Sequence, residues 1–423
     1  MNARPKKSPL ASAFTHLAML TAGLASVSTP ANADDYQRDR DLLRAHTPIV
    51  ELVRGDLRIA VAPAYQGRVM TSTAAGLQGR SFGWINPPVI AAGIKPEAER
   101  NGLARHIHVF GGEERLWFGP EGGPFSLFFA PRVPQEFADW RTPAEIDTEP
   151  LPTVGEPEAE RVVFGRRMTL KNRAGTVLDM EVRREVRLSG AEALKDRVDH
   201  ADTSDLRVVG YTTVNTVKNV GSQPWTRASG APSIWLLGMF RPSERTTMLF
   251  PFRTGPESEL GPIANTTYFG PIPPDRVVAK DGVLYFKGDG KQRGKLGLTS
   301  RRTPGIAGSW QADTGVLTLL FASPAKGPAS AWPFVDSQWR EDVDPFGGDL
   351  INAYNDGPPE PGAAPLGPFY ELESSSPALL LGPGESHTHT QTTLHLTGPR
   401  EALDRVARRV FGVGLTSIEN ALP

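Results

Sequence analysis

Apolar and polar positions alternate with a period of two along much of this chain. The clearest run is residues 176–188, where Leu178, Met180, Val182, Val186 and Leu188 fall on one side. Asp179, Glu181, Arg183, Glu185 and Arg187 fall on the other. Successive side chains leave a β-strand on opposite faces, so this period marks a half-buried strand. The same reading predicts strands over Leu57–Val61, Val69–Thr73, Phe125–Phe129, Val208–Val217, Ser233–Phe240, Val283–Lys287, Val316–Phe321 and Leu379–Leu381. Turn-forming clusters separate them: Asn219-Val220-Gly221, Lys280-Asp281-Gly282, Gly288-Asp289-Gly290 and Gly382-Pro383-Gly384.

A helical period is confined to two places. One is Asp34–Ala45. The other is Pro399–Phe411, with proline in its first turn, Gly412 as a stop, and Leu403, Val406, Ala407, Val410 and Phe411 on one side. That last helix is expected to pack on the edge or face of a sheet. The pattern as a whole predicts an all-β chain, a large β-sandwich with a few peripheral helices. The proline-rich stretch 357–368 is read as a long loop on the sandwich rim, and 142–158 as a boundary or an insertion, neither of which splits the chain. Residues 34–423 are therefore expected to form a single domain.

The first 33 residues change the picture. Arg4, Lys6 and Lys7 precede a mostly apolar stretch from Leu17 to Val27, and Ala31-Asn32-Ala33 ends it with a small-x-small pattern. This is the arrangement of a cleaved signal peptide. Its apolar part is too short for a spanning helix of about 20 residues. The chain has no cysteine, so neither a lipid at the cleavage site nor a disulfide is available. The expectation is a periplasmic or secreted protein with no membrane anchor. Cleavage takes away three basic residues and no acidic one, so the formal charge of −1 becomes −4. That balance argues against a nucleic-acid partner, which needs a basic patch.

Three segments carry candidate chemistry. His106-Ile107-His108 leads into Gly111-Gly112-Glu113-Glu114-Arg115-Leu116-Trp117, with Glu121 shortly after. Paired glycines let a backbone turn sharply or a ligand come close. Carboxylates and an arginine offer acceptors and a forked donor to a hydroxyl-rich ligand. A salt bridge between strands would use the same residues. The second segment, Asp349–Gly357, ends in Asn355-Asp356-Gly357, which is either a turn or a polar patch at a cleft. The third runs Phe369-Tyr370-Glu371-Leu372-Glu373 and then Glu385-Ser386-His387-Thr388-His389-Thr390-Gln391, ending at His395. On a strand Glu371 and Glu373 share a face, as do His387, His389, Gln391 and His395. Carboxylates beside imidazoles are standard material for general acid–base catalysis.

The order of these segments resembles the galactose mutarotase-like β-supersandwich, and within it a branch of exported bacterial proteins. The resemblance rests on Val61-Ala62-Pro63-Ala64-Tyr65-Gln66-Gly67-Arg68-Val69, the run Phe110–Gly123, Asn219–Trp225 and the Phe369–His395 segment. It implies a sugar-sized cleft on the concave face of one sheet. In that superfamily a late-chain Glu is the base on the anomeric hydroxyl and a mid-chain His protonates the ring oxygen. Glu371 or Glu373 stands where the base is expected. No histidine occurs between His200 and His387, so the mid-chain acid has no counterpart. His106 or His108 resembles the family's earlier sugar-binding His.

Three functions follow as expectations, none calling for a cofactor. The first is an epimerase-like enzyme acting on a sugar or glycan through Glu371, Glu373, His106 and His108. Glu113, Glu114, Arg115, Trp117, Glu121, Asn355, Asp356, Tyr370, His387 and His389 would line its site. The second is a glycan-binding protein with the same cleft and no acid. The third is a metal site built from the His106-x-His108 and His387-x-His389 pairs. An imidazole across a ligand-sized gap from Glu371 or Glu373 would favour the enzyme; a cleft of Trp and Tyr without one favours binding. On the export reading, mass spectrometry of protein recovered from its native cell envelope finds Asp34 as the first residue. An intact Met1 on secreted or periplasmic material overturns it.

Overall fold

The computed structural model describes residues 35–198, 203–323 and 332–423. The segment read as an export signal lies outside the described residues. Among the described residues seventeen strands follow in chain order. They are β1 Val50–Arg54, β2 Leu57–Ala62, β3 Arg68–Thr73, β4 Arg115–Gly119, β5 Arg161–Lys171, β6 Val177–Ser189, β7 Arg207–Asn219, β8 Ser233–Phe240 and β9 Thr246–Pro251. After them come β10 Val277–Lys280, β11 Val283–Lys287, β12 Gly294–Leu298, β13 Ile306–Gln311, β14 Val316–Ala322, β15 Ile351–Asn355, β16 Tyr370–Ser375 and β17 Ser386–Thr397. Strand makes up 36% of the chain against 14% helix, the excess of strand that the alternation predicts.

A nine-stranded antiparallel sheet, ordered β10-β11-β9-β13-β14-β17-β7-β6-β5, faces a five-stranded sheet ordered β12-β15-β16-β8-β4. A three-stranded sheet of β1, β2 and β3 covers part of the same inner face. There Leu52, Ile59, Val61 and Val69 pack against Phe164, Val186, Leu188, Val209 and Tyr211. This is the large β-sandwich expected from the sequence. On the outer face of the large sheet lies the helix Arg400–Phe411, closed by Gly412 in the left-handed region at φ 79°. Its Leu403, Val406, Ala407 and Phe411 bury against Leu317, Leu319, Leu394 and Leu396.

Two predicted strands are not strands. Phe125–Phe129 is irregular, because the Ser126 hydroxyl accepts the N–H groups of Phe128 (2.9 Å) and Phe129 (3.2 Å) and bends the chain. Leu379–Leu381 is also irregular, with Leu380 and Leu381 donating to carbonyls only two residues back. The strands of the smaller sheet carry little periodicity, because β4, β8, β12, β15 and β16 are buried on both faces.

Between the two sheets lies a polar layer. Arg184 on β6 is fully buried; its Nη2 lies 2.9 Å from Glu114 Oε1, its Nη1 donates to Asn215 Oδ1 at 2.7 Å and its Nε to the Gly67 carbonyl at 3.0 Å. Glu114 also accepts from Thr213 Oγ1 and Gln391 Nε2, each at 2.7 Å. Removing one partner of a buried, hydrogen-bonded ion pair leaves the other charge uncompensated. Glu114→Ala is therefore expected to lower unfolding free energy by about 3–5 kcal/mol in urea titrations. Glu181→Ala, at an exposed pair with Arg167, should cost less than about 1 kcal/mol. Equal effects would show that the interior pair does not hold the sheets.

Candidate functional site

The outer face of the five-stranded sheet builds the site, and strand register decides its membership. Met239, Glu371, Tyr354 and Lys295 stand in one row across β8, β16, β15 and β12. Arg115, Leu237, Glu373 and Asn352 stand in the next, followed by Trp117 opposite Trp235. Loops raise walls around these rows. The result is a narrow cavity of about 50 Å³ that opens to solvent. Aromatic rings dominate its lining: Trp117, Phe137, Trp140, Trp235, Phe269, Trp339, Tyr354 and Phe369. Glu371, Glu121, Arg115, Lys295 and Arg293 supply its charge.

The charged groups are arranged in pairs. Arg115 Nη2 lies 3.0 Å from Glu371 Oε1, and the same guanidinium sits 4.2 Å over the Trp117 ring. Lys295 Nζ lies 3.3 Å from Glu121 Oε2, 3.7 Å from Glu373 Oε2 and 4.5 Å over Trp235. Trp235 Nε1 donates to Glu373 Oε2 at 2.8 Å. Burial pushes Glu371 well above the usual carboxylate range, opposed by Arg115 and reinforced by the nearby Glu373. Burial also raises Glu373, against the pull of Lys295 and the Trp235 hydrogen bond. Burial works against the Lys295 charge too, yet Glu373, Glu121 and Glu371 outweigh it and hold its pKa above the ordinary value. Glu371 Oε1, Glu373 Oε1, Arg115 Nε and the indole nitrogens of Trp117, Trp140 and Trp339 make no hydrogen bond to protein. Such a floor offers acceptors, donors and a carboxyl group able to change its proton near neutral pH.

The residues singled out by sequence divide sharply. Glu371, Arg115, Trp117 and Glu121 line the cavity, and Glu373 lies beneath it on Lys295 and Trp235. The rest do other work. Glu113 points into the interior, where its Oε2 accepts from Ser72 Oγ at 2.9 Å and lies 3.0 Å from His395 Nε2. Glu114 holds Arg184 as described. Tyr370 alternates with Glu371 and so faces inward, its hydroxyl 2.7 Å from Ser309 Oγ. Asn355 ties down the connection between β11 and β12, accepting from Gly290 N at 2.9 Å and donating to the Gln292 carbonyl at 2.8 Å. Asp356 reaches the cavity only through Tyr354, whose hydroxyl donates to it at 2.7 Å.

The imidazoles do not meet the carboxylates. His389 is buried between the sheets, its Nε2 2.8 Å from Ser374 Oγ, and burial pushes it down to about 3. His387 precedes it on the same strand, half-buried. Because Ser374 follows Glu373, the histidines of β17 lie on the side of β16 opposite to its glutamates. His108 bonds through Nδ1 to Asp147 Oδ2 at 2.8 Å while its Nε2 accepts from Lys95 N at 3.2 Å, so both ring nitrogens are occupied. His106 packs edge-on against Phe137 and Trp140, lining a neighbouring cavity, and burial lowers it to about 4. The paired glycines serve chain packing and not ligand approach. A Cβ on Gly111 would stand 2.3 Å from the Trp84 carbonyl, and one on Gly112 would stand 2.8 Å from the Arg68 side chain. Among the described residues no group of three or more His, Cys, Asp or Glu could hold a metal ion. The two His-x-His pairs therefore do not fit a metal site.

Sequence reasoning missed Lys295, Arg293, Trp235 and Tyr354. Lys295 had a signal: one cation inside Gly294-Lys295-Leu296-Gly297-Leu298, a run otherwise suited to full burial.

A large antiparallel sandwich with a charged, aromatic-walled cavity on its smaller sheet defines the class of protein. Residues 34–422 match the family of unknown function DUF6786, and the chain belongs to that family. Among curated proteins none matches the chain. Among solved structures it is similar to a putative aldose 1-epimerase from Escherichia coli K12, at 15% identity and TM-score 0.43 over 83% of this chain and 99% of that one. It is similar to a galactose mutarotase-like protein from Lactobacillus casei, at 10% identity and TM-score 0.43 over 82% and 100%. A galactose mutarotase related enzyme from Lactobacillus acidophilus follows at 8% identity and TM-score 0.42, over 83% and 97%. Likeness at these values carries no argument about chemistry, which has to be read from the cavity.

Below the cavity, Tyr268 donates to Asp349 Oδ2 at 2.7 Å while Lys295 sits 5.4 Å over the Tyr268 ring. Burial raises Asp349 to about 7, so the folded protein holds a proton that the unfolded chain releases near its ordinary pKa of 3.8. The stability this gives is full below pH 3.8 and is lost as pH rises to about 7. Asp349→Asn has no such proton to lose. Its stability relative to wild type is expected to rise by on the order of 2–4 kcal/mol between pH 4 and pH 8 in urea titrations. A difference that does not change with pH would show Asp349 ionised in the fold.

Proposed function

We propose that this chain is an exported saccharide-binding protein that holds its ligand in the cavity over β4, β8, β16 and β12. The observation that carries the reading is the pairing of aromatic walls with a hydrogen-bonding floor. The flat C–H faces of a pyranose pack on partly exposed wall rings such as Phe137 and Trp339, and its hydroxyls can both give and accept hydrogen bonds. Glu371 and Glu121 then accept, while Arg115 and Lys295 donate. No histidine is among the described residues lining the cavity, so the glutamate-and-imidazole division of labour of a mutarotase is not assembled there.

A second reading has its own support. Glu371 is held by burial above the usual carboxylate range and Lys295 stays protonated nearby, which suits acid–base turnover of a sugar without imidazole. Glu371→Gln separates the two, because it keeps shape and removes the titrating group. For a binder, calorimetry against a saccharide panel gives an affinity loss of about 1–3 kcal/mol, and proton NMR finds no sugar interconverted by wild type. For an enzyme, turnover seen with wild type falls by about a hundredfold or more while affinity changes far less. If wild type neither binds nor converts any saccharide at millimolar concentration, both readings fail.

A further inference from the structure

Of the three cations at the cavity, two lie in ion pairs and the third does not. Arg115 has Glu371, and Lys295 lies between Glu373 and Glu121. Arg293, two residues before Lys295 and half-buried at the same cavity, forms no ion pair among the described residues. Its guanidinium lies 3.8 Å over Phe269, with Phe137 and Trp339 at 5.5 and 5.8 Å. Part of its N–H edge also turns to the Tyr354 hydroxyl, which it hydrogen-bonds. The carboxylate whose field it feels, Asp356, is already engaged by that hydroxyl at 2.7 Å and by Gly367 N at 2.9 Å.

We infer that the saccharide bound here carries an anionic group, a uronate carboxylate or a sulfate ester, and that Arg293 is the residue that receives it. The inference rests on the saccharide reading above and narrows its ligand class. A guanidinium lying over a ring keeps N–H groups at its edge, and those not turned to Tyr354 can meet a planar or tetrahedral oxyanion with charge-assisted hydrogen bonds. The rings on either side restrict its swing, so less side-chain freedom is lost when the anion arrives. The neutral alternative, a cation parked on aromatic surface for packing alone, predicts no preference for charge.

The test is calorimetry on the full mature protein with two matched pairs of probes in 0.15 M salt, about the physiological ionic strength. One pair is trigalacturonate and its methyl ester; the other is a sulfated galacto-oligosaccharide and its desulfated form. The expected result is that the acidic member of one pair binds about tenfold or more tightly than its neutral partner. Which pair shows the preference tells carboxylate from sulfate. Arg293→Gln should bring that ratio towards one with an unchanged melting temperature, while Arg293→Lys retains part of it. A ratio near one for wild type in both pairs overturns the inference and leaves the saccharide reading standing. A preference that survives Arg293→Gln overturns the assignment to Arg293. Failure of every saccharide, neutral or acidic, overturns the underlying reading as well.

Discussion

The cavity depends on an interaction that it does not contain, the ion pair between Arg184 and Glu114 in the dry layer between the sheets. Both side chains are wholly removed from solvent. Charges so placed are tolerable only with near-complete hydrogen bonding, and Asn215, Thr213, Gln391 and the Gly67 carbonyl provide it. Glu114 immediately precedes Arg115, and neighbouring side chains on an extended chain point to opposite faces. Fixing Glu114 inward therefore fixes Arg115 outward, over Trp117 and against Glu371. A shift of one residue would bury Arg115 between the sheets and put Glu114 in the cavity.

The same device sets the other side of the site. Ser374 donates to Gln391 Oε1 at 2.7 Å and lies 2.8 Å from His389, which places Glu373 on the outer face. Gln391 thus touches both strands of the charged floor: its amide nitrogen binds Glu114 below β4 and its oxygen binds Ser374 on β16. The polar residues of β17 that look like catalytic material in sequence are the internal scaffold against which the real floor is registered. Their burial, which drives His389 towards the neutral form, is consistent with that structural part.

What was legible in the sequence follows from this arrangement. Strands half-exposed to solvent announced themselves by alternation, as β6 does, and the C-terminal helix did so through its apolar stripe and its proline and glycine ends. The strands of the smaller sheet are covered on both faces, so hydrophobic period carried little there and β4 and β12 passed unseen. Residue type alone could not tell an inward carboxylate from an outward one. Glu113 and Glu114 share a motif with Arg115 and Glu121, yet only the latter two line the cavity. Lys295 was missed because its importance lies in Glu121 and Glu373, which reach it from distant segments.

Burial also decides what the cavity can do. Two glutamates and a lysine withdrawn from water raise one another's stakes: Lys295 keeps its proton because acids surround it, and burial raises Glu371 against the pull of Arg115. Protein groups leave Glu371 Oε1, Arg115 Nε and three lining indoles without hydrogen bonds, a cost accepted at a site and rarely in a core. A purely apolar ligand would leave those groups as they are and gain only area against the rings. A ligand with ring-sized apolar faces and polar groups at their edges answers both demands. That combination is what the saccharide reading proposed above supplies.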